Sequence, residues 1–524
     1  MNTHTQAPAG SSRFRPGRFL WIYPVGFVFL ILQLAVGTAP DHALYFSLAI
    51  VFGLLAVLFS WPWHSAQCLL TAAVVLKVVL FGIVLKLLWG EATDQPLRAP
   101  ADASFAAMLT MLGLCLACLA IKTIRFPQEG RIREPGDARW YFGMWLACLI
   151  FGYGAWWCLF LLNAGGISLG TTQIREQRVG GLAGVLNLLV HFKSLAISSA
   201  IFYANKVKWK SFPLHPCFVI ALVAAIPAAT LSTSKLDMME PFLYIVLPLI
   251  LLHGFANRKA LLLTCAGFAF FYLVGQPFTD YARQRGGRTG TAEERAQSWV
   301  NMATRWANDP SMRAAARKDL RMGMYNYLPE SIANLERFAM YAQSDHLIAG
   351  TGSHFTGWKT ITWGFEFIPP RFLYRQKPVY GPGNYLAHIA GDPALNDVTT
   401  QMSYGLAGNF YNAFGHPGVF LGTFVLFLTF WLWIYFWFGR LWEVNLWSVA
   451  VFGYYQHHLA ENNFAGVISL IPWFPFYCIG LSLLARVLIV AKAKFPVAAP
   501  AVRTYGNYGR LFAPTEAAPP LKRS

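Results

Sequence analysis

The feature that most constrains this chain is a succession of apolar runs. Each is about as long as a helix must be to cross a bilayer, and the connections between them hold most of the cations. Twelve can be marked: 19–38, 43–61, 66–89, 105–124, 140–162, 182–204, 217–231, 241–256, 260–275, 418–438, 446–458 and 466–490. The runs 217–231 and 446–458 are short for the roughly 30 Å of hydrocarbon a helix must span. With 56% hydrophobic and only 13% charged residues, a soluble fold would leave large apolar patches in water. The expectation is an all-α polytopic membrane bundle of about 12 spans.

The cations give an orientation. Arg13, Arg15 and Arg18 precede the first run, Arg125, Arg131, Arg133 and Arg139 follow the fourth, and Lys206, Lys208 and Lys210 follow the sixth. Arg258 and Lys259 follow the eighth, Arg440 the tenth, and Lys492 and Lys494 the last. Each group falls at the amino terminus or after an even-numbered run, the positive-inside pattern with both termini cytoplasmic. The formal charge of +18 therefore reads as topology and contact with anionic lipid; no basic stripe with interleaved aromatics points to nucleic acid. All eight cysteines lie in or at the edges of apolar runs, so no disulfide framework is expected. The Cys115/Cys118 pair reads as helix packing. No small-residue cleavage site follows the first run, which reads as a retained span.

These boundaries divide the chain into a cytoplasmic segment 1–18, spans 1–9 over 19–275, a large outer loop domain 276–417, spans 10–12 over 418–490, and a basic, Pro/Ala-rich tail 491–524. A loop as long as 276–417 is functional or disordered, and its aromatic content argues for folded. Within it "PESIANLERFAMYA" places Ile332, Leu335 and Ala339 at helical spacing after Pro329, which predicts an amphipathic helix.

The outer loop carries clustered cations: Arg283, Arg285 and Arg288, then Arg313, Arg317, Lys318 and Arg321, then Arg371, Arg375 and Lys377. Guanidinium groups beside glycines suit a polyanion such as pyrophosphate, because Arg offers a planar fork of donors. The "ARKDLR" group reads as a solvated face. "FIPPRFLYRQKP" differs, since prolines fix its backbone and Phe367, Phe372, Leu373 and Tyr374 hold it at an apolar surface. A phosphorylated group at that depth implies a lipid carrier.

"NLERFAMYAQ", "IPPRFLYRQKP" and "DVTTQMSYGLAGNFYNAFGHPG", taken together, resemble the Wzy-type O-antigen and exopolysaccharide repeat-unit polymerases. Those carry an Arg-Phe helix, an I-P-R-x-x-x-x-x-K-P segment, a Thr/Ser patch and a Y-x-x-F-G-x-x-G stretch leading into the next span. Arg337, Arg371, Lys377, Pro378, Thr399, Thr400, Tyr411, Phe414, Gly415 and Gly418 match that order. The chain departs at Pro370, an extra proline before the arginine, and at Asn409, where relatives often have an acid.

The resemblance implies a GT-C-like, metal-independent membrane glycosyltransferase in a bacterial inner membrane, with no cofactor. Its substrate would be an undecaprenyl-pyrophosphate-linked oligosaccharide, and a chain-length regulator and flippase of the same pathway would be its partners. A hydroxyl of one lipid-linked repeat would attack the anomeric carbon of a chain held on another lipid. Arg371 and Lys377 would stabilise the leaving pyrophosphate, with Arg337, Arg283, Arg285 and Lys235 behind them. Arg175 and Arg178, in "REQR", would hold the second pyrophosphate, and Tyr411 and Asn409 would meet substrate. For the general base the outer side offers His388, His346, His354, His416, Glu366 and Asp397.

His457, His458 and Glu461 share a helix end and read as polar packing or a sugar contact ahead of a metal site. Lys77, Lys86, His191 and Lys193 lie inside apolar runs, where charge is expensive unless it faces a cavity or snorkels. Lys86 is expected to snorkel; Lys77 and Lys193 are candidates to line the cavity. The rival readings are an O-antigen ligase, a lipid-linked oligosaccharide flippase or other transporter, and a non-catalytic assembly subunit. A transporter would be expected to show internal repeats, and none stands out.

Overall fold

The computed structural model describes residues 20–492 apart from 63–64, 128–129, 162–185, 187–188, 210–211, 232–234, 254–257, 285–291, 312–326, 330–334, 337, 370–373, 375–381, 393–401 and 440–444. Helix dominates, with no strand among the described residues. In chain order the elements used below are α1 (Ile22–Ala35), α2 (Pro40–Phe59), α3 (Ala66–Leu88), α4 (Pro100–Thr123), α5 (Ala138–Leu161), α6 (Leu195–Lys206) and α7 (Lys235–His253). They continue with α8 (Met340–Thr351), α9 (Lys359–Glu366), α10 (Pro382–Ala390), α11 (Gly405–Phe438), α12 (Leu446–Glu461), α13 (Phe464–Ile468) and α14 (Phe474–Lys492).

Among the described residues six helical stretches are long and apolar enough to cross a membrane: α2, α3, α4, α5, Leu261–Thr279 and α11. Their starts are locally encoded. Pro40 and Pro100 open α2 and α4, where a missing N–H costs nothing. Ser65, Asp137 and Asn445 accept from the amides of Cys68, Trp140 and Ser448 at 3.0, 2.6 and 2.7 Å, capping α3, α5 and α12. The spans approach closely through small residues. A Cβ on Gly113 of α4 would lie 2.8 Å from the Phe420 carbonyl oxygen of α11, and one on Gly53 of α2 would meet Val75 at 2.7 Å.

The connections sort onto two ends of the bundle. At one, the Ile132 amide donates to Trp437 O at 2.8 Å, the Leu446 amide donates to Glu134 Oε2 at 2.7 Å, and Arg131 stacks on Phe436. Lys206 lies within electrostatic range of Glu134, so the cation-bearing connections after α4 and α6 meet here. At the other end the Thr38 and Thr93 hydroxyls meet at 3.1 Å, Tyr327 donates to Thr93 O at 2.8 Å, and the Asp345 carboxylate accepts the amides of Arg98 and Ala99 at 2.7 and 2.8 Å.

The helix anticipated from Pro329 falls mostly on residues 330–334 and 337, outside the described residues; beyond it Met340–Thr351 is helical, and the Glu336 carboxylate accepts the amides of Tyr327 and Leu328 at 2.7 and 3.2 Å. Two expectations are corrected. The run 182–204 is not one continuous helix: residues 191–194 form a turn ahead of α6, with the Leu195 amide bonded three residues back to Phe192 O. Lys86 does not snorkel. Its side chain is 4% exposed, pairs with Glu91 at 2.7 Å and lies over the Tyr327 ring.

Candidate functional site

Lys77 sits in a π-helical turn of α3, Leu76–Leu80, a local widening that often marks functional helices. Its ammonium donates to Glu461 Oε1 and Gln456 Oε1, both at 2.7 Å, and so ties α3 to the last turns of α12. The other Glu461 oxygen, Oε2, lies 3.1 Å from His457 Nδ1. Helical spacing makes this contact, since residues four apart share a face.

A second ionic group lies alongside. Lys193 donates to Asp237 Oδ1 at 2.8 Å and to Glu240 Oε2 at 2.5 Å, both carboxylates coming from the first turns of α7. The turn at 191–194 makes this possible. It brings the Lys193 backbone against a second π-helical turn, Cys148–Tyr153 of α5, where a Cβ on Gly152 would lie 2.6 Å from Lys193 Cα. His191 and His458 link the two groups. His191 feels the charges of Lys193 and Asp237, His458 those of His457, His191, Glu461 and Lys77, and the His191 and His458 rings both pack on Tyr454. The result is a chain of ionisable groups running between α3, α12, the α6 turn and α7. Charges are retained at such depth only when paired.

The segment carrying the Tyr-x-x-Phe-Gly string is fastened to this chain. Ser403 Oγ donates to Glu461 O, the Tyr404 amide donates to Asn463 Oδ1 at 3.0 Å, and Asn409 Nδ2 donates to the same oxygen at 3.0 Å and to Gly405 O at 2.7 Å. Asn409 is thus a buried clamp within the protein. Tyr411 packs edge-on against Phe355 and His416, at ring distances of 5.8 and 5.1 Å. Gly415 breaks α11 at φ +64°, ψ −153°, a conformation open essentially to glycine alone.

Of the other sequence candidates, Glu366 ends α9 and His388 lies in the last turn of α10, both half-buried. These two helices adjoin, with Trp363 packed on Tyr385 and Lys359 over the same ring. His354 is exposed. His416 Nε2 lies 3.4 Å from Asp102. His346 is buried, with Nδ1 3.0 Å from Asp392 Oδ1, while Tyr404 donates to Asp392 Oδ2 at 2.6 Å. Burial alone would raise the Asp392 carboxyl, but the hydrogen bonds from His346 and Tyr404 outweigh it and hold the group below the usual carboxylate range.

Arg371, Lys377, Asp397, Arg337, Arg285, Arg175 and Arg178 lie outside the described residues. Arg283 and Lys235 lie on described helices, their side chains outside that description. Among the described residues no three His, Cys, Asp or Glu side chains are grouped to hold a metal ion.

The spacing in "HHLAE" brings His457 and Glu461 together as expected of polar packing on one helix face; what the sequence could not supply was Lys77 arriving from α3. No family model, no curated protein and no solved structure matches this chain.

Proposed function

We propose that this chain is a membrane glycosyltransferase of the repeat-unit polymerase class. It joins undecaprenyl-pyrophosphate-linked oligosaccharides into O-antigen or exopolysaccharide at the outer face of a bacterial inner membrane. The observation that carries the reading is the anchoring of Ser403, Tyr404 and Asn409 to the Glu461–Asn463 turn. It joins the string resembling the polymerases to a cluster of cations, carboxylates and imidazoles within the helical bundle. Glycosyl transfer from a lipid pyrophosphate needs those ingredients: cations for the departing phosphate charge, a positioned base for the acceptor hydroxyl, and an apolar surround for two lipids.

In this reading the end bearing Arg131, Arg133 and Lys206 is cytoplasmic, and the opposite end, with α8, α9 and α10, faces outward. Twelve spans cross the membrane, and Arg371 and Lys377 form the clamp on the leaving pyrophosphate. Arg337, Arg283, Arg285 and Lys235 support that clamp, and Arg175 and Arg178 hold the second lipid.

The test is polymer formation by purified protein from a lipid-pyrophosphate-linked repeat, resolved as a ladder on a gel, with wild type beside Arg371→Ala and Lys377→Ala. A wild-type ladder that collapses in both variants, each still folded in detergent, supports the clamp. A ladder indifferent to both substitutions removes it.

A further inference from the structure

Resting on the polymerase reading and deepening it, we infer that His457, oriented by Glu461, is the general base that takes the proton from the acceptor sugar hydroxyl.

Glu461 Oε2 lies 3.1 Å from His457 Nδ1, and a carboxylate oxygen that close disfavours a lone pair on Nδ1 and favours the ring proton there. The lone pair of the neutral ring is then on Nε2, where a base needs it. Glu461 is itself held from the other side, because its Oε1 accepts the Lys77 ammonium at 2.7 Å. Carboxylate and imidazole are therefore both positioned, the arrangement by which a third group orients a base in other enzymes.

Accessibility separates His457 from the neighbouring imidazoles. Its side chain is 17% exposed, whereas that of His346 is 6% exposed and His458 is buried with Nδ1 against Asn462; His416 is 29% exposed, but its carboxylate neighbour Asp102 stands 3.4 Å away and is itself 45% exposed, with no lysine among the described residues holding it in place. His42 has a similar carboxylate partner, Asp94 at 2.9 Å, but that oxygen also accepts the Ala39 amide and closes the turn between α1 and α2. His457 alone of these shares its carboxylate with a lysine and its helix end with the Ser403–Asn409 segment.

The step balances as follows. The acceptor hydroxyl gives its proton to His457 Nε2 as its oxygen bonds the anomeric carbon of the donor. The bond from that carbon to the pyrophosphate oxygen breaks, and the electron pair leaves with the lipid pyrophosphate. The imidazolium formed faces the Glu461 carboxylate. The charged and titratable groups around it are Glu461 and His458 on its own helix, Lys77 from α3, His191 and Lys193 from the turn before α6, and Asp237 and Glu240 from α7.

The experiment is the pH–rate profile of polymer formation by the full-length protein, for wild type, His457→Ala, Glu461→Gln and His42→Ala. The expected result is a loss of about 100-fold or more in His457→Ala, partly restored by added imidazole, with His42→Ala unchanged. Glu461→Gln, which keeps the side-chain shape and removes the carboxylate, should lower the rate while leaving KM for the acceptor unchanged. A His457→Ala rate and profile equal to wild type would overturn the assignment while leaving the polymerase reading intact. Should that variant not fold, a Glu461→Gln rate equal to wild type overturns it. Absence of any wild-type product from a lipid-linked donor overturns the polymerase reading and the assignment with it.

Discussion

Lys77 and Glu461 lie 384 residues apart in sequence and meet at 2.7 Å, with side chains 13% and 11% exposed. The contact joins the π-helical turn of α3 to the end of α12. Removing one member of such a pair strands the other charge, at a cost of about 3–5 kcal/mol. Lys77→Met should therefore lower the apparent melting temperature in detergent markedly. Lys77→Met combined with Glu461→Gln should recover part of that loss, a coupling that a double-mutant cycle measures. Additive effects would show that the pair does not hold the two helices together.

At the opposite end of the bundle, burial pushes the Glu134 carboxyl up to about 7 despite hydrogen bonds from Tyr141 and from the amides of Leu446 and Trp447. Between pH 4.5 and about 7 the unfolded chain has released this proton while the folded chain still holds it. Rising pH through that window therefore costs stability, by about 3 kcal/mol in total, and the cost levels off above it. Glu134→Gln should flatten this part of the stability–pH curve, as read from thermal unfolding across pH.

The Asn409 amide nitrogen donates to Gly405 O and Asn463 Oδ1. A carboxylate there would face two acceptors. Asn409→Asp should be more destabilising than Asn409→Ala, and the alanine variant should lose about 1–3 kcal/mol. Parallel unfolding curves of the two variants decide the order.

Gly415→Ala should cost about 1–3 kcal/mol. Its φ of +64° excludes a side chain, and an added Cβ would also lie 3.0 Å from the Phe355 ring. The break it makes in α11 aims Tyr411 at His416, so the variant should lose activity at temperatures where it remains folded. Activity and melting curves measured together test this.

Much of the helical architecture was legible because hydropathy over long windows is a local property. α2, α3, α4, α5 and α11 fall on anticipated apolar runs, and Pro40, Ser65, Pro100 and Asp137 announce their starts. What was illegible depends on partners far away in sequence. Nothing near Lys77 foretells Glu461, and nothing near Lys193 foretells Asp237 and Glu240. Lys86 looked free to reach water because Tyr327, which covers it, comes from a distant loop. Asn409 read as a contact for substrate because its partner Asn463 follows a different helix.

The central claim is that each new glycosidic bond expels one lipid pyrophosphate. The most direct measurement reconstitutes the purified protein in liposomes with a defined undecaprenyl-pyrophosphate-linked repeat and counts released undecaprenyl pyrophosphate against new linkages. The account predicts one released lipid per linkage, with products longer than a single repeat. Movement of the intact lipid-linked repeat across the bilayer, with no lipid pyrophosphate released, would contradict it.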